Sequence, residues 1–439
     1  MASFRKNKGA SRTEKIIEEV NIIPKSLVII TNTYPFGKGE EFLETEILYL
    51  QPHFDRIDIF ALAPQEDFAR KLPERVFCSK LRIDSNFIDR VMATRFMFSR
   101  LFAQEIRDVL KNPELKLTWS ALTKALSMLS KRNKLSKIIS NHISSVIGET
   151  EVYLYSYWMH HGAFGLTSER LRGFNAVSFC RGHGYDIYFE READNYLPFR
   201  KFIVDNLDKV FLISENGREY LTEHLPGIDD TKLEVSRLGI RNNRSPAKIS
   251  ADNVLRIVSC SRISEIKRLD LIIDALAEID DFPIIWTHIG DGELMSHICN
   301  YAKEKLDTKP NVEFELKGYL SNSEVFDFYE NNEVDLFLNV SKSEGIPVSI
   351  MEAFSFGVPA IATDVGGVRE IVGETCGYLI SPQPSAKELR NAIITFRRLS
   401  NDAVMKIKRS ARVKWNESFN AEKNYKQFVK SILNIGGEN

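Results

Sequence analysis

Short apolar runs alternate with amphipathic segments along the second half of the chain. The apolar runs have the length and the Val, Ile, Leu and Phe content of buried strands, and they occupy residues 254–260, 283–290, 312–318, 335–340 and 359–364. The segments between them carry apolar residues at helical spacing, as in 268–279. Strands that alternate with helices predict a parallel, doubly wound α/β sheet.

The first half of the chain shows the same alternation with one interruption. Its strand-like runs occupy residues 26–32, 56–62, 151–158, 175–180, 209–214 and 232–240. A largely helical pattern extends from about residue 87 to 145, with a break near Pro113. We therefore predict two domains, 26–241 with a helical insertion at about 87–145, and 254–416. A flexible lead at 1–25, a polar linker at 242–253 and a C-terminal helix at 417–439 complete the chain.

Basic residues outnumber acidic residues in the helical insertion, and two interpretations fit this pattern. Helices of this kind could lie on an anionic membrane surface. Alternatively, they form a packed pair with a solvated basic face. In that case Phe96, Met97, Phe98, Leu101 and Phe102 belong to the core.

Composition narrows the class of protein. A chain of 439 residues with 43% hydrophobic content suits two domains, and a net charge of −1 argues against nucleic-acid binding by phosphate neutralisation. Five widely spaced cysteines without CxxC spacing indicate reduced thiols in the cytosol. The N-terminus lacks the apolar segment of a secretion signal, and no run is long enough to span a membrane. We therefore expect a cytoplasmic protein, at most attached to the inner face of the cell membrane.

Residues 339–372 carry the most informative sequence, NVSKSEGIPVSIMEAFSFGVPAIATDVGGVREIV. A strand ends before it, and a short helix is predicted over 347–356, with Pro347 at the first helical position. The loop between strand and helix holds Glu344 and Gly345. The free N–H groups of residues 348–350 point into the same space, which predicts a site for anions and hydroxyl groups.

Glu352 lies further along this helix. Because helical side chains lean toward the N-terminus, its carboxylate can face the same cleft as Glu344. Two carboxylates from one short segment lie on one side of a ligand, so they cannot flank a sugar carbon as a glycosidase pair does. We interpret them as acceptors for the hydroxyl groups of a phosphate-bearing ligand. For an isolated pair of glutamates, solvated charges would be the alternative.

Glycines and polar residues follow the carboxyl ends of several predicted strands, which is where ligands bind in open α/β sheets. In the second domain they are Arg262, Lys267, Gly290, Gly292, Gly318, Glu344, Gly366 and Gly367. In the first domain they are Gly37, Gly39 and His183, although an ordinary turn would explain the two glycines equally well. Two such edges that face each other predict an interdomain cleft.

The sequence EGIPVSIMEA, followed by FGVPAIAT and GGVREIV, resembles the Glu-x7-Glu signature of family 4 glycosyltransferases, including those that build bacterial surface polysaccharides. The resemblance is gap-free in the second half of the chain and scattered in the first. It implies a GT-B fold, in which two Rossmann-like doubly wound domains face each other across a cleft and the last helix crosses back to the first domain. It also implies a retaining hexosyltransferase that moves a hexose-type sugar from a nucleotide diphosphate sugar to a glycan or lipid-linked acceptor. UDP is favoured because it is common in the family.

The resemblance further implies roles for individual residues. Arg262 and Lys267 would bind the diphosphate, Glu352 the ribose and Glu344 the sugar hydroxyls, while Gly318 and Tyr319 would bracket the base. The donor site would also include Gly37, Gly39, Gly290, Gly345, Ile346, Pro347 and Val348. The catalytic residues would be His183, near the reacting carbon, with Glu344, Arg262 and Lys267. Arg181 and Asp186 are candidate acceptor or orienting residues.

The chain departs from the family at one point. Many members carry Gly-Val-Asp after the last strand of the first domain, whereas this chain has Gly239, Ile240 and Arg241. The function that the aspartate of this triplet has in the family is therefore absent from this chain or belongs to another residue.

We expect no metal ion and no cofactor beyond the nucleotide sugar. No DxD sequence stands convincingly after a predicted strand, so the two cations and the helix N–H groups would stabilise the leaving diphosphate. No second carboxylate is evident across the cleft, which favours a front-face substitution. A nucleotide-sugar epimerase, a sugar phosphorylase and a non-catalytic scaffold in a polysaccharide assembly complex remain alternatives. A dehydrogenase is disfavoured because no GxGxxG follows the first strand of either half.

Overall fold

Two parallel β-sheets covered by helices form two domains, as the alternating pattern predicts. The structure is a computed structural model that describes residues 23–37, 39–66, 69–81, 83, 93–112, 118–148, 150–250 and 252–437. Residues 1–22 of the predicted lead, and residues 84–92 and 113–117 of the predicted insertion, lie outside the described residues. Within the described residues, no helix has both the length and the apolar character needed to cross a bilayer.

The first sheet has the strand order β3-β2-β1-β4-β5-β6-β7. Its strands are β1 (Lys25–Thr31), β2 (Arg56–Ala61), β3 (Val76–Lys80), β4 (Glu151–Ser156), β5 (Val177–Gly182), β6 (Lys209–Leu212) and β7 (Leu233–Val235). β3 was not predicted, because this edge strand alternates buried and exposed side chains and lacks an apolar run. The run at 232–240 is strand only at its start, and β5 continues two residues past the predicted end at 180.

The second sheet has the order β10-β9-β8-β11-β12-β13. Its strands are β8 (Leu255–Cys260), β9 (Ile284–Ile289), β10 (Val312–Leu316), β11 (Leu336–Asn339), β12 (Ala360–Thr363) and β13 (Gly377–Ile380). The sequence patterns predict all of them except β13, an edge strand with exposed and half-buried residues in its middle. Chain order reverses direction between β8 and β11, so the ends of these two strands open the crevice in which such sheets bind ligands.

Helices cover both sheets. Those before residue 240 are α1 (Glu41–Leu50), α2 (Arg100–Lys111), α3 (Trp119–His142), α4 (His161–Leu166), α5 (Glu169–Arg172), α6 (Arg200–Asn206) and α7 (Glu215–His224). Those after it are α8 (Leu269–Ala277), α9 (Met295–Leu306), α10 (Asn322–Asn331), α11 (Val348–Ser355), α12 (Val368–Ile371), α13 (Ala386–Arg397), α14 (Asn401–Ser418) and α15 (Ala421–Gly437).

The helical insertion contains α2, α3 and a 3₁₀ turn at Thr94–Phe98. Phe102 is buried in the core of the first domain, and Phe96 and Leu101 pack against that core, as the packed-pair interpretation requires. Met97 and Phe98, in contrast, are 47% and 94% exposed. The insertion is therefore a packed helical pair that also presents apolar side chains to its surroundings.

The last helix lies against the first sheet. Phe428, Val429 and Ile432 of α15 belong to the same buried cluster as Leu43 of α1 and Phe211 of β6. The chain thus passes between the domains twice, once near Gly239 and once near Ala421, and the two crossing segments are in contact. A Cβ atom on Gly239 would lie 2.4 Å from the backbone of Ala421, so only glycine permits this approach.

Candidate functional site

Glu344 lies in the loop between β11 and α11 and accepts hydrogen bonds from two side chains. Its Oε1 atom accepts a hydrogen bond from Lys267 Nζ at 2.5 Å and one from Asn339 Nδ2 at 3.2 Å. Lys267 closes the 3₁₀ turn after β8, so the pair joins the ends of two neighbouring strands. The side chain of Glu344 is only 11% exposed, which strengthens its attraction to the lysine.

Helix α11 begins beside this pair. Pro347 is the N-cap with ψ of 118°, so the helix starts at Val348, one residue later than predicted. The N–H groups of Val348 and Ser349 have no hydrogen-bond acceptor within the described part of the chain. The N–H of Ile350, which the sequence predicts to be free, donates to the Pro347 carbonyl at 3.2 Å. Two free donors therefore point into the loop, enough to bind an anionic oxygen.

Glu352 lies within α11 and is 7% exposed. Its Oε1 atom accepts a hydrogen bond of 2.6 Å from Asn322 Nδ2 at the start of α10. Burial raises the pKa of Glu352 to about 7, an effect that the Asn322 hydrogen bond partly offsets and the negative charge of Glu41 increases. Glu41 belongs to α1 of the first domain, so the two domains influence each other at this position.

Gly366 and Gly367 pack against the backbone of the Glu344 loop. Gly366 has φ of +53°, and a Cβ atom there would lie 2.0 Å from the carbonyl oxygen of Glu344. The N–H of Gly367 donates to the carbonyl of Gly345 at 2.9 Å. The close approach of these two glycines therefore sets the backbone conformation of the loop that carries Glu344.

The other predicted donor residues of the second domain lie along the same edge. Gly290 donates its N–H to the Gly318 carbonyl at 2.8 Å, which ties the ends of β9 and β10 together. Tyr319 follows this link and is 58% exposed. The side chain of Ile346 belongs to the domain core, so only its backbone faces the loop.

Arg262 occupies a more exposed position than Lys267. Its side chain is 74% exposed, and its Nε donates to Glu293 Oε2 at 2.9 Å. An anionic ligand would therefore have to compete with a carboxylate for each of the two predicted cations.

His183 stands on the opposite side of the cleft, directly after β5. A Cβ atom on Gly345 would lie 3.1 Å from the carbonyl oxygen of His183, so the two loops are in contact. The imidazole packs against the rings of Tyr157 and Trp158, with centroids 4.6 and 4.3 Å away, and these two rings also contact each other. Neither ring nitrogen has a hydrogen-bond partner among the described residues, and Nδ1 is 3.9 Å from Asp186 Oδ2.

Asp186 is fully buried and positions the His183 loop. Its carboxylate accepts hydrogen bonds from the N–H groups of Met159, His183 and Gly184 at 2.8 to 2.9 Å. Burial alone would raise the pKa of Asp186, but His183 and these N–H donors outweigh it and hold the pKa below its ordinary value. Of the two predicted roles, contact with an acceptor or orientation, Asp186 therefore fits orientation.

Arg181 is buried in the first domain, so of the two predicted roles, contact with an acceptor or orientation, its position fits orientation. It is 0% exposed, forms an ion pair of 2.8 Å with Glu46 of α1, and donates to the Ser236 carbonyl at 2.7 Å. Its guanidinium also lies 4.2 Å from the ring centroid of Phe428. Phe179, on the same face of β5 as Arg181, also lies against Phe428, so α15 covers this face and Arg181 points into the core.

The glycine loop after β1 is organised by a residue that the sequence patterns do not reveal. The carboxylate of Glu40 accepts hydrogen bonds from the N–H groups of Asn32, Thr33 and Tyr34 at 2.7 to 2.8 Å and from Trp158 Nε1 at 2.5 Å. Arg70 donates to the carbonyls of Gly37 and Gly39, at 2.5 and 3.3 Å. Hydrogen bonds therefore hold the backbone at residues 32–34, Gly37 and Gly39, and Glu40 links this loop to Trp158 beside His183.

Two cross-domain contacts were also not predicted, because no local pattern marks them. Arg191 of the first domain donates from Nε to the Ser343 hydroxyl at 3.1 Å, while its buried Nη2 has no acceptor in the described part of the chain. Glu370 of α12 accepts hydrogen bonds from the N–H groups of Glu215 and Asn216, at the start of α7, and pairs with Arg237 at 2.8 Å. A helix N-terminus favours a carboxylate, so Glu370 fastens the two domains on one side of the cleft.

The arrangement offers chemistry for a phosphate-bearing ligand. The edge of the second domain supplies two free N–H groups, two paired cations and two carboxylates, and the edge of the first supplies an imidazole and one incompletely bonded guanidinium. Within the described residues, no three His, Cys, Asp or Glu side chains converge as metal ligands.

Comparison with known proteins decides the class. Residues 241–413 match the family described as Glycosyl transferases group 1. The chain is a glycosyltransferase. It is 27% identical over 324 residues to WcaL of Escherichia coli strain K12, a protein named for colanic acid biosynthesis, across 70% of this chain and 76% of WcaL. It is 31% identical over 171 residues to TuaC of Bacillus subtilis strain 168, a protein named for teichuronic acid biosynthesis, across 39% of this chain and 38% of TuaC.

Solved structures show the fold of this glycosyltransferase. A glycosyltransferase from Rickettsia africae ESF-5 superposes with a TM-score of 0.64 at 16% identity, over 94% of this chain and 99% of that one. HepE of Anabaena, solved with UDP and glucose, superposes with a TM-score of 0.63 at 16% identity, over 92% and 98% of the two chains. The predicted GT-B fold is thereby confirmed.

Proposed function

We propose that this glycosyltransferase moves a hexose-type sugar from a UDP-sugar to a glycan or lipid-linked acceptor, with retention of configuration and without a metal ion. The acceptor belongs to the biosynthesis of a bacterial surface polysaccharide, and the enzyme works on the cytoplasmic face of the membrane. Support for this setting comes from the names of WcaL and TuaC, and support for the nucleotide comes from the UDP bound to HepE.

One observation carries the proposal. The Lys267–Glu344 pair joins the loops after β8 and β11, the free N–H groups of Val348 and Ser349 stand at the end of the β11 loop, and this second loop contacts the His183 segment of the other domain. Donors for a diphosphate, an acceptor for sugar hydroxyls and an imidazole near the reacting carbon are therefore within the reach of one nucleotide sugar.

In the proposed reaction, the departing diphosphate is stabilised by charge. Lys267, Arg262 and the N-terminus of α11 would bind it, and the free Nη2 donor of Arg191 adds a cation from the first domain. Glu344 would accept hydroxyl hydrogens of the sugar, and Glu352 those of the ribose. In a front-face substitution the leaving phosphate takes the proton of the attacking hydroxyl, so the chain need not supply a base.

The proposal is tested by measuring the release of nucleoside diphosphate from a panel of UDP-, GDP- and ADP-sugars, with and without EDTA, in the presence of membrane extract as an acceptor source. We expect release from one UDP-sugar that EDTA does not change. The anomeric configuration of the product, read by NMR, is expected to equal that of the donor.

Other outcomes would assign the alternatives. Interconversion of nucleotide sugars without release would indicate an epimerase, and release that requires inorganic phosphate would indicate a phosphorylase. Absence of both binding and release with every donor would favour a scaffold. Loss of release in EDTA, restored by Mg²⁺, would contradict metal independence alone.

The pKa of Glu352 predicts a pH dependence of donor binding. Because this pKa is about 7, the carboxylate is mostly ionised at pH 8 and mostly protonated at pH 6, where it loses acceptor capacity for ribose hydroxyls. The dissociation constant of the donor is expected to rise about tenfold between pH 8 and pH 6. Calorimetric titration of wild type and Glu352→Gln across this range measures it. An equal slope in the glutamine variant would rule Glu352 out as the cause.

Contact with an anionic membrane is part of the proposal. Phe98 and Trp119 are 94% and 78% exposed and lie in the basic helical insertion. Sedimentation with phosphatidylglycerol vesicles is expected to exceed that with phosphatidylcholine vesicles, and Phe98→Ser with Trp119→Ser is expected to weaken it about tenfold. Val413→Ser, at a 51% exposed position of the second domain, serves as the control. Equal sedimentation of the Phe98→Ser, Trp119→Ser double variant and of Val413→Ser would contradict docking through the insertion.

A further inference from the structure

A cavity of about 910 Å³ lies between the helical insertion and residues 185–200 of the first domain. One continuous stripe of α3 forms a wall of it. The stripe contains, in order, Trp119, Leu122, Leu126, Ser127, Ser130 and Lys131. They stand at positions i, i+3, i+7, i+8, i+11 and i+12, which share one face of a helix, over a length of about 18 Å.

The chemistry of this stripe changes along its length. The end near Trp119 is apolar and is continued by Met97 of the 3₁₀ turn and Phe102 of α2. The end near Lys131 carries two hydroxyl groups and the ammonium. A ligand that fills the cavity must therefore be apolar at one end and polar or charged at the other.

The charge at the polar end is positive. Lys124 is paired with Glu192 at 2.7 Å, and buried Arg200 is bound to the carbonyl of Asp186 at 2.7 Å. Lys131, in contrast, has no ion pair with any residue that the structure describes. His160 and His161 line the same end, and burial lowers the pKa of His161 to about 3 and that of His160 well below its ordinary value. Both imidazoles are thus neutral at pH 7, and Lys131 is left to attract an anion.

The polar end connects to the candidate active site. Tyr185 and His160 line the cavity, and the ring of Trp158 lies 4.6 Å from that of Tyr185 and 4.3 Å from that of His183. The Nε2 atom of His160 is buried and lacks a hydrogen-bond partner among the described residues, so a ligand could supply one. A molecule that lies along the cavity therefore directs its polar end toward His183.

We infer that this cavity binds the lipid part of an amphiphilic acceptor, with a phosphate group at Lys131 and the hydrocarbon chain along α3 toward Trp119. The inference rests on the proposed function, since it assigns the acceptor of that reaction to a lipid-linked phosphate. The glycan that receives the sugar would then extend past Tyr185 to His183. The exposed side chains of Met97 and Trp119 lie at the outer end, where the chain would leave the enzyme for a membrane.

Binding of dodecyl phosphate below its micellar concentration, followed by calorimetry, tests the inference without requiring sugar transfer. We expect saturable binding that inorganic phosphate and dodecyltrimethylammonium do not reproduce. Ser127→Phe fills the cavity and is expected to weaken binding at least about tenfold, and Lys131→Met about tenfold. The matched controls Asn133→Phe and Lys137→Met change exposed positions of the same helix and are expected to alter binding less than about twofold. Thermal unfolding of each variant verifies that it folds.

Three results would overturn the inference. They are absence of dodecyl phosphate binding, equal binding of the ammonium amphiphile, and full affinity in folded Ser127→Phe and Lys131→Met. If nucleotide-sugar turnover is present in any of these cases, the proposed function stands and only the cavity assignment fails. Dodecyl phosphate binding without any nucleotide-sugar binding would instead contradict the proposed function.

Discussion

Replacing Glu344 with Ala, or Lys267 with Ala, is expected to lower sugar transfer about 100-fold or more while the fold stays intact. The two side chains share one hydrogen bond of 2.5 Å between the loops after β8 and β11, and they are only 24% and 11% exposed. Each variant removes its own contact to the donor and also leaves the partner without its counter-charge. Turnover at saturating donor, together with the dissociation constant of the nucleoside diphosphate, measures the effect.

The two variants are expected to differ in what they lose. Lys267→Ala removes a cation from the diphosphate site, so the affinity for nucleoside diphosphate is expected to fall. Glu344→Ala removes an acceptor for sugar hydroxyls, so the affinity for the intact donor is expected to fall more than that for the free diphosphate. Glu293→Ala, which removes the exposed partner of Arg262, serves as the control and is expected to stay within about threefold of wild type. Wild-type turnover in either Glu344→Ala or Lys267→Ala would remove this pair from the active site.

The site could be predicted where it depends on strand ends. Alternating strands and helices fix a parallel sheet, and in such a sheet the loops after neighbouring strands meet at one edge. This reasoning brings Lys267, Glu344 and Gly366 together from sequence alone, and the structure places them in contact or in adjacent loops. It succeeds because backbone direction, and not the conformation of individual side chains, sets these positions.

The same reasoning could not identify which side chains pair. Lys267 and Glu344 were predicted to bind different parts of the donor, yet they bind each other across 77 residues of sequence. Arg191 and Glu370 lie at the domain boundary, and their partners belong to the other domain. No periodicity records such contacts, because they depend on how two complete domains face each other.

Short elements at sheet edges were the other omission. β3 and β13 have five and four residues, and each lies at the end of its sheet with a partly exposed face. An edge strand needs few apolar residues, so its pattern resembles that of a loop.

The sequence of the helical insertion left open whether its apolar residues face the core or a membrane. Apolar residues at helical spacing do not reveal which of them are buried in the core. Only the folded chain shows that Phe102 is buried and Phe98 is exposed.

Arg181→Ala is expected to destabilise the first domain by about 3–5 kcal/mol, because it leaves the buried carboxylate of Glu46 without its partner. Both side chains are 0% exposed, so water cannot replace the guanidinium. The double variant Arg181→Met with Glu46→Leu removes both charges and keeps apolar volume. We expect it to recover most of the lost stability. Urea unfolding followed by tryptophan fluorescence, with the first-domain transition fitted separately, measures both variants.

This experiment also decides between two roles for Arg181. If it bound the acceptor, Arg181→Met with Glu46→Leu would fold normally and show a raised KM for the acceptor with little change in unfolding free energy for either variant. If it supports the core, the single variant loses stability, the double variant recovers it, and the acceptor KM of the double variant stays near that of wild type. The second result is expected, because Arg181 of β5 contacts Glu46 of α1, Ser236 directly after β7, and Phe428 of the helix that returns from the second domain. On this expectation, β5, which ends directly before His183, is held in place by a residue that no ligand contacts.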